Sequence, residues 1–402
     1  MAPFPPQRAA ARLMGIHFVA VVLLLAIGPT TVCSTGRLQR RILLQDCTPD
    51  SEMGTRCTNI SRAQVSPAAG PVARVSTEMT LRLLVMVVSY TASSSCGARA
   101  SADVADVRAA YTNELGYMNF LRNCSYGQVT YSNVTVISTP VPCTQSLELC
   151  NTINIAVAAK ESAESQYGSG FTSSYSRYAY VLPYGLNLIC GWMGLGEPPP
   201  GTQTWYIPEE DGIFNKGTVL QESLHNLGLR YHGWRSNQEY QDNSTSMGMG
   251  KSCPSAPELW RLGWASPLAQ LNSSTLPPKT FKTYTLPATY ATSQGNMLRI
   301  QPDWLSKRNC TKNLYLALRM RGGGDRDLLG EFDGKVNFHD AEKDIDNDVI
   351  TGDPKLSFVG AIAPYGYWDA PFYKLYIRIG ALVGNTITVN VCRYDKKYTD
   401  CT

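Results

Sequence analysis

The sequence predicts an α+β protein in which a domain of mixed sheet and helices precedes an all-β, sandwich-like C-terminal domain. Between residues 80 and 271, strand patterns alternate with amphipathic helix patterns, as in layered domains of sheet and helix. After residue 271, short β-type runs separated by turn residues follow one another, which is typical of β-sandwiches. Hydrophobic residues make up 44% of the 402 residues and charged residues 17%, a balance that favours packed cores over disorder.

The first domain, residues 80–271, is predicted from hydrophobic periodicity. Leu81–Tyr90 is a continuous apolar run that suits a buried strand, whereas Ala102–Leu121 has its apolar residues at helical spacing. The remaining predicted elements are strands at Gln128–Ser138, Tyr178–Pro183 and Thr204–Ile207, and helices at Cys150–Tyr167 and Gly217–Gly228.

The second domain, residues 272–402, is predicted from strand patterns alone. The predicted strands are Lys282–Leu286, Met297–Ile300, Leu314–Arg319, Lys335–Phe338, Leu356–Ile362, Phe372–Ile379 and Thr386–Cys392. Their short, regular spacing favours two packed antiparallel sheets.

The N-terminus has the features of a secretory signal peptide. Arg8 and Arg12 form a basic start, and Ile16–Ile27 is an apolar stretch that is short for a membrane span. We therefore predict a signal peptide over residues 1–34, with an uncleaved anchor as the alternative. Residues 35–79 are polar and are interpreted as a pro-segment or linker, so the mature protein is expected to be secreted without a membrane anchor.

Cysteines and glycosylation sequons agree with secretion. The chain has 12 Cys, a number that suits an oxidising compartment, and loss of Cys33 with the signal peptide would leave an odd number. One thiol could then be free or paired between chains, unless the cleavage site differs. Candidate N-glycosylation sites are Asn59, Asn123, Asn133, Asn243, Asn272 and Asn309. The net charge of +4 includes no basic block, so nucleic acid is not an expected partner.

One segment, Gln221–His232, has the spacing of a metal-dependent hydrolase. On a helix, Gln221 and His225 lie one turn apart on one face and can meet the same metal ion. Glu222 is placed beside them to act as the general base on a water molecule. Gly228 can end the helix, and a chain that turns there can bring His232 back as a third ligand. The other mature histidine, His339, falls far away in the β region.

Two further motifs carry a family resemblance. After the 221–232 segment come Asp242, Ser244, Met247 and Gly248 in an Asp-x-Ser-x-x-Met-Gly pattern, and then Ala-Pro and Leu-Gly-Trp within Ala256–Trp264. In this order they resemble the metzincin plan, and more narrowly the gametolysin family, the secreted cell-wall lytic metallopeptidases of volvocine green algae. The resemblance spans roughly residues 80–340, including Leu314–Arg319 and Gly330–His339.

The resemblance implies a metzincin-like zinc peptidase. It implies one zinc ion per chain, a structural Met-turn at Met247 (with Met249 as the alternative) and members with either His or Gln as first ligand. Gln221 is a weaker zinc ligand than imidazole, so another divalent ion is also an option. The family's third His would fall at Tyr231, which leaves His232 or the Tyr231 phenol as the third ligand. His232 is favoured because a neutral imidazole binds zinc without first losing a proton.

The sequence thus predicts a secreted zinc metalloendopeptidase that acts on extracellular-matrix or cell-wall glycoproteins. The substrate class comes from the resemblance alone, and the oligomeric state is left open. A catalytically inactive homologue that binds matrix as a glycoprotein is the alternative, because two ligand positions differ from the family plan.

Overall fold

The computed structural model describes residues 78–348 and 354–402, together with four short strands closer to the N-terminus. These strands are β1 (Leu43–Leu44), β2 (Cys47–Pro49), β3 (Cys57–Ile60) and β4 (Ala63–Gln64), and they pair as β1–β4 and β2–β3. The predicted signal peptide lies outside the described residues. So does most of the predicted pro-segment or linker, and both stay predictions.

A five-stranded sheet forms the first layer. Its strands are β5 (Met79–Thr91), β6 (Val129–Pro142), β7 (Arg177–Val181), β8 (Gly194–Gly196) and β9 (Gln203–Tyr206), in the spatial order β6-β5-β7-β9-β8. All neighbours are parallel except β8, an antiparallel edge strand beside β9. Helices cover both faces of the sheet, which explains why β5 is apolar at consecutive positions.

Six helices belong to this first layer. They are α1 (Val104–Thr112), α2 (Tyr117–Cys124), α3 (Gln145–Glu148), α4 (Thr152–Tyr167), α5 (Asn187–Cys190) and α6 (Lys216–Leu227). The single helix predicted over Ala102–Leu121 is wrong, because the chain forms two helices there. Gly116 lies between them, where a Cβ would lie 2.6 Å from the carbonyl oxygen of Tyr111, so only glycine permits this close turn.

Two more sheets follow. A seven-stranded sheet contains β10 (Gly233–Arg235), β11 (Gln238–Glu239), β12 (Ala269–Leu271), β14 (Leu298–Ile300), β15 (Lys312–Arg319), β16 (Lys335–Glu342) and β17 (Leu356–Ile362). A four-stranded sheet contains β13 (Lys282–Pro287), β18 (Tyr367–Ala370), β19 (Leu375–Val383) and β20 (Thr386–Arg393). Helices α7 (Ala256–Leu262) and α8 (Lys343–Asn347) accompany them. Buried side chains from both sheets form one hydrophobic core.

The mixed α+β class is confirmed by these elements. The seven-stranded sheet is continuous across residue 271, since β12 pairs with β14 and β10 pairs with β17. Strands on the two sides of the predicted boundary at residues 271 and 272 therefore share one sheet. The division into an 80–271 and a 272–402 domain stays a prediction, as does a separate C-terminal sandwich.

Disulfide bonds fix several of these elements. The pairs are Cys96–Cys143, Cys124–Cys253, Cys150–Cys190 and Cys392–Cys401. Cys310 is disulfide-bonded as well, and none of the described cysteines is a free thiol. The described part of the chain also has no helix with the length and apolar character that crossing a membrane requires.

A buried ion pair joins the seven-stranded sheet to the Cys124–Cys253 disulfide. The Arg319 guanidinium donates to both carboxylate oxygens of Asp325, at 2.8 and 3.0 Å, and to the carbonyl oxygen of Cys253 at 3.1 Å. Asp325 in turn accepts from the backbone N–H of Cys253 at 2.9 Å. Both charged side chains are only 1% exposed, so each depends on the other for neutralisation.

Replacing Asp325 by Asn should therefore destabilise the fold by about 3–5 kcal/mol, because it leaves a buried guanidinium without its counter-charge. Urea denaturation of the wild-type and variant proteins measures this difference. Asp395→Asn is the matched control, since Asp395 pairs with Lys279 where both side chains are about half exposed, and it should cost less than about 1 kcal/mol. Equal losses in the two variants would contradict the importance of the buried pair.

Candidate active site

Helix α6 carries the first three candidate site residues. The Asn215 side chain caps its N-terminus by accepting from the backbone N–H of Gly217 at 2.9 Å. Its apolar positions face two cores: Val219 packs toward the five-stranded sheet, and Leu224 packs into the cluster that contains Met247. This packing fixes the rotation of the helix about its axis, and with it the directions of the polar side chains between these positions.

The helix ends at Gly228, whose φ of 129° lies in the region that favours glycine. The N–H of Leu229 donates back to the carbonyl oxygen of Leu224 at 3.1 Å, and the chain then reverses into the β10–β11 hairpin. This reversal brings the rings of His225 and His232 to 5.1 Å between centroids. Tyr231, the alternative third ligand, is 51% exposed.

Both histidines are oriented through their Nδ1 atoms. His225 Nδ1 donates to the carbonyl oxygen of Leu229 at 2.8 Å, and His232 Nδ1 donates to a carboxylate oxygen of Glu239 at 3.0 Å. In each ring the hydrogen bond uses Nδ1, so Nε2 is the nitrogen that would bind a metal ion. The pKa of His225 is lowered, mainly by burial. The hydrogen bond with the Leu229 carbonyl raises this pKa, and the neighbouring His232 lowers it. His225 is therefore held in the form that binds a metal.

Glu222 lies beside this pair in a buried position. One of its carboxylate oxygens is 4.0 Å from His225 Nε2. Burial raises the pKa of Glu222 to about 8, although a hydrogen bond from the Gly196 backbone opposes the shift. The edge strand β8 passes closely over this residue: a Cβ on Gly194 would clash with the Glu222 side chain, and a Cβ on Gly196 would clash with the Glu222 carbonyl oxygen. A carboxyl group with a pKa near neutrality can both accept and return a proton.

Gln221 is held by the loop Asp242–Gly248. In the orientation that satisfies the amide, its nitrogen donates to the carbonyl oxygens of Ser246 at 3.0 Å and Gly248 at 3.2 Å. These two hydrogen bonds hold the amide through its nitrogen, so its oxygen is the atom that would bind a metal ion.

Met247 lies between the two carbonyls that Gln221 contacts. Its side chain is fully buried, and its own carbonyl oxygen accepts from the N–H of Gly233, next to His232, at 2.7 Å. The loop therefore contacts the neighbourhoods of both Gln221 and His232. Met249, the alternative, is 66% exposed and does not belong to that core.

The donors present fit a divalent metal ion. Two imidazoles with oriented Nδ1 atoms and a side-chain amide offer a mixed nitrogen and oxygen set, as zinc accepts. The carbonyl and carboxylate behind His225 and His232 are the outer partners that ligating histidines usually have. Gln221, His225 and His232 are thus the residues that would hold the ion.

Sequence reasoning missed three residues at this site. Glu239 orients His232, and the ring of Tyr240 stacks on His232 with centroids 3.9 Å apart. His339 was expected far away, yet its Nε2 lies 3.0 Å from Asp242. Glu239 and Tyr240 follow His232 by only seven and eight residues, so a hairpin prediction there could have found them. No local signal could have found His339.

The glycosylation candidates differ in exposure. The side chains of Asn123, Asn133 and Asn309 are exposed, whereas Asn243 and Asn272 are half-buried. The side chain of Asn59 lies outside the described residues. Exposed positions are accessible to a glycan, so the first three are the better candidates.

Comparison with known proteins matches this chain to a recognised family. The sequence profile of the family described as gametolysin peptidase M11 matches residues 82–367, which is most of the chain. An autolysin of Chlamydomonas reinhardtii is 32% identical over 100 residues. The aligned segment is 23% of this chain and 15% of the autolysin, so this similarity covers a small part of that longer protein.

Gln221→Glu tests the contact between Gln221 and the loop. A carboxylate cannot donate to the Ser246 and Gly248 carbonyls, so the metal-free variant should be less stable by about 1–3 kcal/mol. Denaturation in the presence of a chelator measures this. Gln166→Glu, at an exposed position on α4, is the control and should change stability by less than about 0.5 kcal/mol. Equal stability of Gln221→Glu and the wild-type protein would show that the amide makes no such contact.

The third ligand can be identified by zinc titration. We expect His232→Ala to weaken zinc binding by more than the roughly 10–100-fold that loss of an outer partner costs. Tyr231→Phe removes one oxygen atom and should leave the affinity unchanged. The assignment is wrong if Tyr231→Phe loses the zinc and His232→Ala keeps it.

Proposed function

This chain belongs to the gametolysin peptidase M11 family, and we propose that it is a secreted, zinc-dependent metalloendopeptidase that cleaves extracellular-matrix or cell-wall glycoproteins. The observation that carries the proposal is the pairing of His225 and His232, 5.1 Å apart, beside the buried carboxyl group of Glu222. Two oriented imidazoles next to a carboxyl group with a raised pKa are what a hydrolytic metal site needs.

In this proposal Gln221, His225 and His232 hold the zinc ion. A zinc ion bound there would polarise the scissile carbonyl and make a water molecule more acidic. The chain's own contribution is orientation. Leu229 and Glu239 fix the two rings, and the loop around Met247 fixes the Gln221 amide.

Glu222 is assigned the role of general base. Its carboxylate accepts a proton from the attacking water and then returns that proton to the nitrogen of the leaving amine. Its position supports this role, because the buried carboxyl group lies 4.0 Å from Nε2 of His225, next to the proposed metal site.

The edge strand β8 is the expected platform for the substrate. Within the described residues it pairs only with β9, so its other edge can accept an extended peptide. Gly194 and Gly196 carry no side chains on the face toward Glu222. A peptide paired along this edge would therefore pass close to the general base.

The proposed substrate class comes from similar proteins. It rests on family membership and on the similar protein that is named autolysin, a name that agrees with a lytic role. Secretion is supported by the disulfide-bonded cysteines of the described residues, since disulfides persist in oxidising compartments.

Glu222→Gln is the direct test of the proposed chemistry. The amide cannot accept a proton, so cleavage of a protein substrate should fall by about 10²–10⁴-fold while the protein remains folded and binds zinc. Glu210→Gln makes the same change at an exposed position and should retain wild-type activity. A Glu222→Gln variant that cleaves at the wild-type rate would refute the role of Glu222. A wild-type protein that neither binds zinc nor cleaves would favour an inactive, matrix-binding homologue.

A further inference from the structure

We propose that His339 is a positioning residue for this active site, and that it acts by holding the loop Asp242–Gly248. This inference rests on the proposed metallopeptidase function. His339 lies on β16 in the seven-stranded sheet and is only 2% exposed. Its Nε2 faces Asp242 and Ser244 rather than a candidate metal ligand, so its effect on the reaction passes through these neighbours.

The direct partner of His339 is Asp242. His339 Nε2 lies 3.0 Å from one carboxylate oxygen of Asp242 and 3.3 Å from the hydroxyl of Ser244. The other carboxylate oxygen accepts from the Ser244 hydroxyl at 2.6 Å and from its backbone N–H at 2.9 Å. All three side chains are buried. Burial raises the pKa of Asp242, but the contacts with His339 and Ser244 lower it by more. The pKa is therefore below its usual value, and the carboxyl group is ionised.

Asp242 packs directly against the neighbours of two candidate metal ligands. A Cβ on Gly248 would overlap the carbonyl oxygen of Asp242, and Gly248 is one of the two residues whose carbonyls hold Gln221. A Cβ on Gly233 would lie 3.0 Å from the Asp242 side chain, and Gly233 directly follows His232. The position of Asp242 therefore sets the positions of the backbone next to both ligands.

The rest of the loop is tied independently of His339. The Thr245 hydroxyl donates to Glu258 at 2.5 Å, and the Ser246 hydroxyl donates to the Ser252 carbonyl oxygen at 2.6 Å. Loss of His339 would therefore leave the loop folded but would leave a buried carboxylate without its main partner. That carboxylate would shift toward other donors and displace Gly233 and Gly248 with it.

Three variants test the proposal. His339→Leu removes the donor, and His339→Gln keeps an N–H that can reach Asp242. Asn337→Ala is the matched control, because Asn337 is buried on the same strand and donates to the Phe332 and Lys335 carbonyls. Zinc affinity and amide hydrogen exchange of residues 242–250 in the metal-free protein are the measurements, made well below each variant's unfolding temperature.

We expect His339→Leu to bind zinc about 10–100-fold more weakly than the wild-type protein and to exchange its 242–250 amides faster. His339→Gln should recover most of both, and Asn337→Ala should match the wild-type protein in both even if it is less stable. Wild-type zinc affinity and exchange in His339→Leu would overturn the proposal. If His339→Leu does not fold, His339→Gln decides. This variant keeps an N–H that can reach Asp242, so the proposal would be overturned if it bound zinc as weakly as a variant that lacks a zinc ligand.

Failure of the proposed function gives a different result. If the wild-type protein bound no zinc, the metallopeptidase assignment would fail. Hydrogen exchange in the metal-free proteins would still decide whether His339 holds the loop. If the wild-type protein bound zinc and His339→Leu bound it equally well, only the role of His339 would be refuted.

Discussion

The chain reversal at Gly228 is the constraint on which the site depends. On an unbroken helix, His232 would lie roughly 10 Å beyond His225 along the axis, too far to share an ion. The backbone leaves the helix at Gly228 with a φ of 129°, and the β10–β11 hairpin returns His232 to the end of α6. Because that hairpin belongs to the seven-stranded sheet, the position of His232 depends on strands contributed by the C-terminal part of the chain.

The Gln221 side chain is matched to the loop that holds it. An imidazole that binds a metal through one nitrogen has a single N–H left to donate, whereas a side-chain amide has two. The loop around Met247 offers two carbonyl oxygens, and the amide meets both. If Gln221 is a metal ligand, as proposed, the amide binds zinc more weakly than an imidazole would, but two hydrogen bonds to the loop hold it in place.

Local patterns allowed much of the fold to be predicted, because strand and helix periodicities are properties of short segments. Strands such as Leu356–Ile362 appear with the predicted bounds. The break between α1 and α2 was missed because Gly116 stands among good helix formers, and its requirement for glycine comes from a contact with Tyr111. His339 was missed for a similar reason: its contact with Asp242 spans 97 residues, and no periodicity reports such a contact.

The central claim is that Gln221, His225 and His232 bind one zinc ion beside Glu222. Anomalous diffraction at the zinc edge from zinc-loaded crystals tests it most directly. We expect one strong peak per chain, about 2.0–2.2 Å from Nε2 of both histidines and from the amide oxygen of Gln221. A peak bound by other residues, or no peak at this position in a protein that retains peptidase activity, would contradict it.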